Sequence, residues 1–216
     1  MLNKILLNNK NIIIENLNTP LELSGSQELI IFNHELTKLV INAKEKANII
    51  INDFRIINKE NTKIEITAQS NAKVIYNHAF INENNYNLDI KTDFLGTNAK
   101  LEINIHGVNE KSESTIKVDG HVKKDKNNNE LIENIRIINL DKGKTKVLPN
   151  LLINNKEVIA NHFVTIGKID DDELNYLMSK GINEEAAKKL IINGFLINII
   201  NHKELSIKIK EILNGR

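Results

Sequence analysis

The feature that most constrains this chain is a recurrence. From about residue 10 to 160 the apolar residues arrive in short β-branched bursts, at 12–14, 29–32, 39–41, 49–51, 64–66, 74–76, 101–105, 116–118 and 135–138, separated by Asn, Lys, Glu and Gly. Bursts of that length read as strands, and helical spacing does not persist over a full window. Three of them begin alike, as Lys46-Ala47-Asn48-Ile49, Asn71-Ala72-Lys73-Val74 and Asn98-Ala99-Lys100-Leu101, with the alanines 25 and then 27 residues apart. A small side chain returning ahead of a strand at that period is what a solenoid needs where successive coils stack closely. The period therefore favours a mainly β chain built as a parallel β-helix, with a meander or sandwich of similarly spaced strands as the alternative.

The last fifty residues change character. Asp170 and Glu173 form an Asp-x-x-Glu capping box, and Gly181 stands where a helix ends in the left-handed conformation, so a helix is expected over about 171–180. Asn183 caps a second helix, with Glu184 and Glu185 in its first turn and Ala187, Leu190, Ile191, Gly194 and Phe195 spaced along one face. A third, over about 203–213, carries Leu205, Ile209, Ile212 and Leu213 on one side. The organisation expected is a β body over 1–165 and a helical domain over 166–216, whose apolar faces must pack on the body or on a partner.

Composition excludes several classes of function. The 29 basic and 28 acidic residues leave a formal charge of +1, so no long-range field favours nucleic acid or an anionic membrane. No run of about 18 apolar residues occurs, and the N-terminus has neither the apolar length nor the cleavage site of a signal peptide; a cytoplasmic location is expected. With no Cys there is no disulfide, no thiolate ligand and no cysteine nucleophile. With no Trp and 4% aromatic residues, the stacking platforms of a carbohydrate-processing solenoid are lacking. Phosphate loops, nucleophile elbows and paired catalytic carboxylates are also missing, so no catalysis by the chain itself is expected. The abundance of Asn reads as coding bias, with little meaning attached to any single Asn. Isolated Gly107, Gly120, Gly143 and Gly167 read as turns.

Among residues able to carry chemistry, His162 stands out, embedded in apolar residues after a strand. That setting more often holds a satisfied structural histidine than a ligand. His34, His78, His106, His121 and His202 show no ligand-type pairing. Solvated surface positions are expected for His34, His78 and His106, with convergence on one solenoid face as the alternative. Asp170, Asp171 and Asp172 read as a first helical turn facing its dipole rather than as a cation site.

The stretch from Asn161-His162-Phe163-Val164-Thr165-Ile166-Gly167 through the acidic cluster to Leu174-Asn175-Tyr176-Leu177-Met178-Ser179-Lys180-Gly181-Ile182 resembles the signature of the SufD family, scaffold subunits of iron–sulfur cluster assembly. Pro149-Asn150-Leu151-Leu152-Ile153 and the segment from Glu184 to Phe195 extend the resemblance. The block between Asp141 and Pro149 is shorter than the family pattern, so a reduced member is expected, lacking one or two coils and the N-terminal helical region. The resemblance implies a right-handed parallel β-helix with a C-terminal helical appendage, paired with a SufB-like subunit. It also implies an ABC ATPase resembling SufC docked through Leu174, Tyr176, Leu177, Leu190 and Phe195. His162 would be the metal ligand at the subunit interface, contributing to a transient iron–sulfur cluster held only in the complex. A homodimer is the alternative assembly, and no residue identifies a flavin site. SufB shares the fold and tail, but the absence of Cys favours SufD. A solenoid that binds or braces without cluster chemistry remains a third reading.

Overall fold

The computed structural model describes residues 4–8, 20–32, 36–200 and 202–215. The burst at 12–14 and His34 lie outside them. The strands are β1 (Lys4–Asn8), β2 (Leu21–Leu23), β3 (Ser26–Phe32), β4 (Lys38–Ala43), β5 (Asn48–Ile57), β6 (Asn61–Ala68), β7 (Lys73–Asn82), β8 (Tyr86–Phe94), β9 (Lys100–Asn109), β10 (Glu113–Val122), β11 (Asn129–Asn139), β12 (Lys144–Ile153) and β13 (Val158–Gly167). Three helices follow: α1 (Asp171–Ser179), α2 (Glu184–Ile197) and α3 (Lys203–Asn214). One sheet runs β1-β3-β5-β7-β9-β11-β13 and the other β12-β10-β8-β6-β4-β2. Every neighbouring pair is parallel except β1 with β3. Odd strands form one wall and even strands the other, so each coil contributes one strand to each sheet. This is a β-solenoid, and the meander is excluded.

The alanine repeat is the solenoid's corner. Lys73 donates its N–H to the Ala47 carbonyl, Lys100 to Ala72 and Glu130 to Ala99, so the three alanines stack in one column, each buried. The preceding residues Lys46, Asn71, Asn98 and Asn128 all adopt positive φ, 54–59°, a conformation that Asn tolerates better than most residues. The repeat fades at the next coil because Asn129 replaces alanine. Its Oδ1 accepts from the Ala99 N–H at 2.8 Å, and its Nδ2 donates to the Gly96 carbonyl at 3.0 Å.

Between the walls lies the main core, built from the alternate positions of each strand, such as Ile49, Ile51, Val74, Leu101, Ile103, Leu131 and Ile135 from one sheet and Ile64, Ile66, Leu88, Ile90, Ile116 and Val118 from the other. Strand β8, not evident as an apolar burst, keeps strict alternation through Tyr86, Leu88, Ile90, Thr92 and Phe94 with Asn87, Asp89, Lys91 and Asp93 between. Gly107 and Gly120 are not turn residues but core positions within β9 and β10. A Cβ on Gly107 would come within 2.3 Å of the Phe80 ring, and one on Gly120 within 2.3 Å of Leu131 Cδ2. Close packing of a larger neighbour, rather than chain reversal, requires glycine at both.

The outer face of the odd-strand sheet also corrects the view that its asparagines mean little. Asn52 donates to Glu28 at 2.8 Å, Asn77 to Asn52 at 3.0 Å, Asn104 to Asn77 at 2.9 Å and Asn134 to Asn104 at 2.8 Å. Identical amides in register can each donate to one neighbour and accept from the other, satisfying groups that are buried at Asn52 and Asn77.

The helices begin and end where the caps indicate. Asp170 Oδ1 accepts from Asp172 N at 2.9 Å and from Glu173 N at 3.0 Å, Asn183 Oδ1 accepts from Ala186 N at 2.9 Å, and Gly181 has φ +87°. The triple aspartate is thus a capped first turn. The tail packs on the body: Leu196, Ile200, Leu205, Ile209 and Leu213 cover Phe54, Ala79, Ile81, Val108 and Ile138 on the outer face of the odd-strand sheet. The buried stripe of α2 is Ala187, Ile191, Asn193 and Leu196, while Leu190 and Gly194 face outward, so the expected face is rotated. Helix α1 buries none of its residues. No helix among the described residues is long and apolar enough to cross a membrane.

Candidate functional site

The odd-strand sheet ends at β13, whose second edge has no neighbouring strand among the described residues. Register with β11 pairs Leu131 with Ala160, Glu133 with His162, Ile135 with Val164 and Ile137 with Ile166. Leu131, Ile135 and Ile137 point into the core, so His162 occupies a core-side position in the final coil. With no further coil stacked on it among the described residues, His162 is exposed. Val164 and Ile166 share its face and are open, while Ile159 and Phe163, each 60% exposed, project from the opposite, outer face of the same strand. In β12, the edge of the other sheet, Leu148 and Leu152 are open as well, and Pro149 removes one backbone donor. The last coil therefore presents two sheet edges, exposed apolar side chains on their outer faces, and one accessible imidazole on the core-side face.

Beneath His162 lies Glu133, which sequence reading did not single out. Its side chain is fully buried and neither carboxylate oxygen has a hydrogen-bond partner. Oε1 occupies space left by Gly120, 3.1 Å from where a Cβ there would sit. Burial, with the like charge of Asp119 adding to it, pushes the Glu133 carboxyl up to about 8. The signal was available in Leu131-x-Glu133-x-Ile135-x-Ile137, where a carboxylate interrupts the core-facing alternation.

A second fully buried carboxylate, that of Asp53, is partnered. Asp53 accepts from Arg55 Nε at 2.8 Å and Nη2 at 2.6 Å and from the Tyr76 hydroxyl at 2.7 Å, while Arg55 Nη1 donates to the Leu36 carbonyl at 3.0 Å. Burial alone would raise the Asp53 carboxyl, but Arg55 beside it holds it well below the usual carboxylate range. His78 stacks on Tyr76 and lies tilted against Phe80, its Nδ1 3.6 Å from Asp53, and burial lowers its pKa despite that neighbour. The cavity beside Arg55 measures about 10 Å³, room for one water at most. This network braces the core of the early coils.

The remaining histidines are dispersed. His78 faces the core and His106 the outer face of the same sheet, both buried, which corrects both the solvated and the convergent expectation. His106 Nδ1 donates to the Phe195 carbonyl at 2.6 Å, and its ring stacks on Phe195 at 4.4 Å, fastening the tail. His121 lies 3.9 Å from Asp93, and His202 Nδ1 accepts from Leu205 N at the start of α3. No group of three or more His, Cys, Asp or Glu side chains capable of holding a metal forms among the described residues.

In the tail, Leu177, Leu190 and Phe195 line one cleft of about 570 Å³ with Arg136 and Glu173, where α1 and α2 meet the end of the body. Leu174 lines a separate cavity of about 1030 Å³ with Lys168, Glu184 and Lys188, and Tyr176 stands 61% exposed outside both. Phe195 is committed partly to the body through His106.

Such an arrangement defines a class: a two-walled β-solenoid with an open C-terminal coil, a histidine on its last strand, and a helical tail folded back over one wall. Residues 34–195, more than half of the chain, match the family described as SUF system FeS cluster assembly, SufBD core domain. The chain belongs to that family, as a SufD-like member. It is 41% identical over 61 residues to the iron-sulfur cluster assembly protein SufD of Bacillus subtilis, covering 28% of this chain and 14% of that one. With SufD of Escherichia coli it is 31% identical over 120 residues, 56% of this chain and 25% of the other. Bacillus subtilis SufB is 34% identical over 56 residues, 26% of this chain and 12% of the relative. The matched stretches thus cover a quarter or less of each of these relatives.

Proposed function

We propose that the chain is a non-catalytic scaffold subunit of iron–sulfur cluster assembly, pairing with a SufB-like subunit through the open coil and docking a SufC-like ABC ATPase through its tail. The observation that carries this reading is the free edge of β13, where backbone donors and acceptors, apolar side chains and His162 are presented together. An uncovered edge of this kind is a template for strand addition, and apolar flanks exclude water from the joint. His162 then supplies a neutral nitrogen ligand to iron, while the chain's lack of Cys leaves sulfur ligands to the partner. Any cluster is accordingly held only in the complex, as transient cargo. Cytoplasmic assembly fits this chemistry.

For the ATPase, the cleft of Leu177 and Leu190, flanked by exposed Tyr176, offers an apolar surface with charged rims. Leu190 is 51% exposed, so Leu190→Asp leaves the tail folded and acts on docking alone. Co-expression with SufB-like and SufC-like partners tests both surfaces. Phe163→Glu is expected to abolish recovery of the SufB-like subunit, and Leu190→Asp to reduce recovery of the ATPase while sparing the SufB-like subunit. Unchanged recovery of both partners by folded variants contradicts the assignment; self-association through β13 with no SufB-like subunit bound replaces it with a homodimer.

A further inference from the structure

We propose that Glu133 and His162 together form a mixed carboxylate–imidazole site that takes up Fe(II) at the open end of the solenoid. This rests on the reading of His162 as the iron-side ligand and adds a second ligand from the adjacent coil. The two residues are register partners on neighbouring parallel strands and share the core-side face, which sets their backbones about 4.8 Å apart with side chains projecting the same way. Within the same chain, Asp53 shows how a structural core carboxylate is accommodated, with a guanidinium and a phenol satisfying it. Glu133 has no such partner: both oxygens are unpaired, the facing residue is Gly120, and Asp119 acts on it with a charge of the same sign. In its own register column the preceding coils place Tyr76 and Ile103, so the carboxylate enters only at the last covered coil, next to the exposed histidine.

An unpaired buried acid costs several kcal/mol in a core, and a cation is the missing counterpart. One imidazole nitrogen and a carboxylate are donors that suit divalent iron, with water and the partner's ligands completing the coordination.

Anaerobic titration of the purified chain with Fe(II), and with Co(II) as a spectroscopic probe, tests the pair. Wild type is expected to bind one ion with a visible Co(II) band, and His162→Ala and Glu133→Gln each to weaken binding tenfold or more. Urea unfolding establishes that both variants are folded, and Glu133→Asp, which keeps the carboxylate, is expected to retain part of the affinity. Loss in His162→Ala with unchanged affinity in Glu133→Gln overturns the role of Glu133 and leaves the reading of His162 intact, even if the stability of Glu133→Gln changes. Unchanged affinity in His162→Ala overturns both, as does no saturable binding by wild type.

Discussion

Glu133→Gln isolates the energetic consequence of burying an acid without a partner. The carboxyl has a pKa of about 8 in the folded chain against an ordinary value of 4.5. The folded state therefore binds this proton more tightly than the unfolded state. Stability from this group is complete below pH ~4.5, declines as pH rises through the window from 4.5 to 8, and is lowest above 8. At about 1.4 kcal/mol per pKa unit, the loss across that window is about 3–5 kcal/mol, the lower figure allowing for water entry at the open coil. Glutamine keeps the shape but cannot ionise, so the variant lacks this pH dependence. Urea unfolding of both proteins at intervals from pH 5 to pH 9 measures it, because groups common to both, Asp53 among them, cancel in the difference. The variant should gain on wild type from pH 5 to about pH 8 and level off above that, ahead by several kcal/mol at pH 9. A difference that stays constant with pH would refute the claim that Glu133 is buried and unpaired.

Two further substitutions probe the body. Asp53→Asn leaves the Arg55 guanidinium buried without its counter-charge and is expected to cost about 3–5 kcal/mol in urea unfolding; a loss below 1 kcal/mol would mean that the pair is relaxed by solvent. Gly107→Ala forces a methyl against the Phe80 ring and Ile137, and should lower stability by about 1–3 kcal/mol, with a matching drop in thermal midpoint. A neutral outcome would show that the core there is looser than its contacts imply.

How much of this was legible in the chain depends on whether the signal was local. Ala47, Ala72 and Ala99 announced the stacking because a steric demand at one corner recurs at the coil period, and Asp170, Asn183 and Gly181 announced the helix ends because capping involves residues three apart. The Asn52–Asn77–Asn104–Asn134 ladder was hidden: its partners lie 25 to 30 residues apart, and its residue type is abundant elsewhere in the chain. Gly107 and Gly120 were misread as turns since a glycine's need for space is visible only once Phe80 and Leu131 are opposite it. Leu190 was placed on one face of α2 with Ala187 and Ile191 from spacing alone, whereas contact with the sheet, through His106 and Phe195, orients that helix so that Ala187 and Ile191 are buried and Leu190 faces out. His162 drew notice through the family resemblance; its core-side parity and its pairing with Glu133 follow only from the register of β11 with β13.

The central claim is that this chain contributes a ligand, but no sulfur, to a cluster assembled at a shared interface. Iron and acid-labile sulfide quantified after reconstitution test it most directly, for the chain alone, for its complex with a SufB-like subunit and ATPase, and for the same complex carrying His162→Ala. The account predicts no stable cluster on the chain alone, a cluster in the wild-type complex, and markedly reduced loading in the variant complex with the subunits still associated. Equal loading of wild-type and His162→Ala complexes would contradict it.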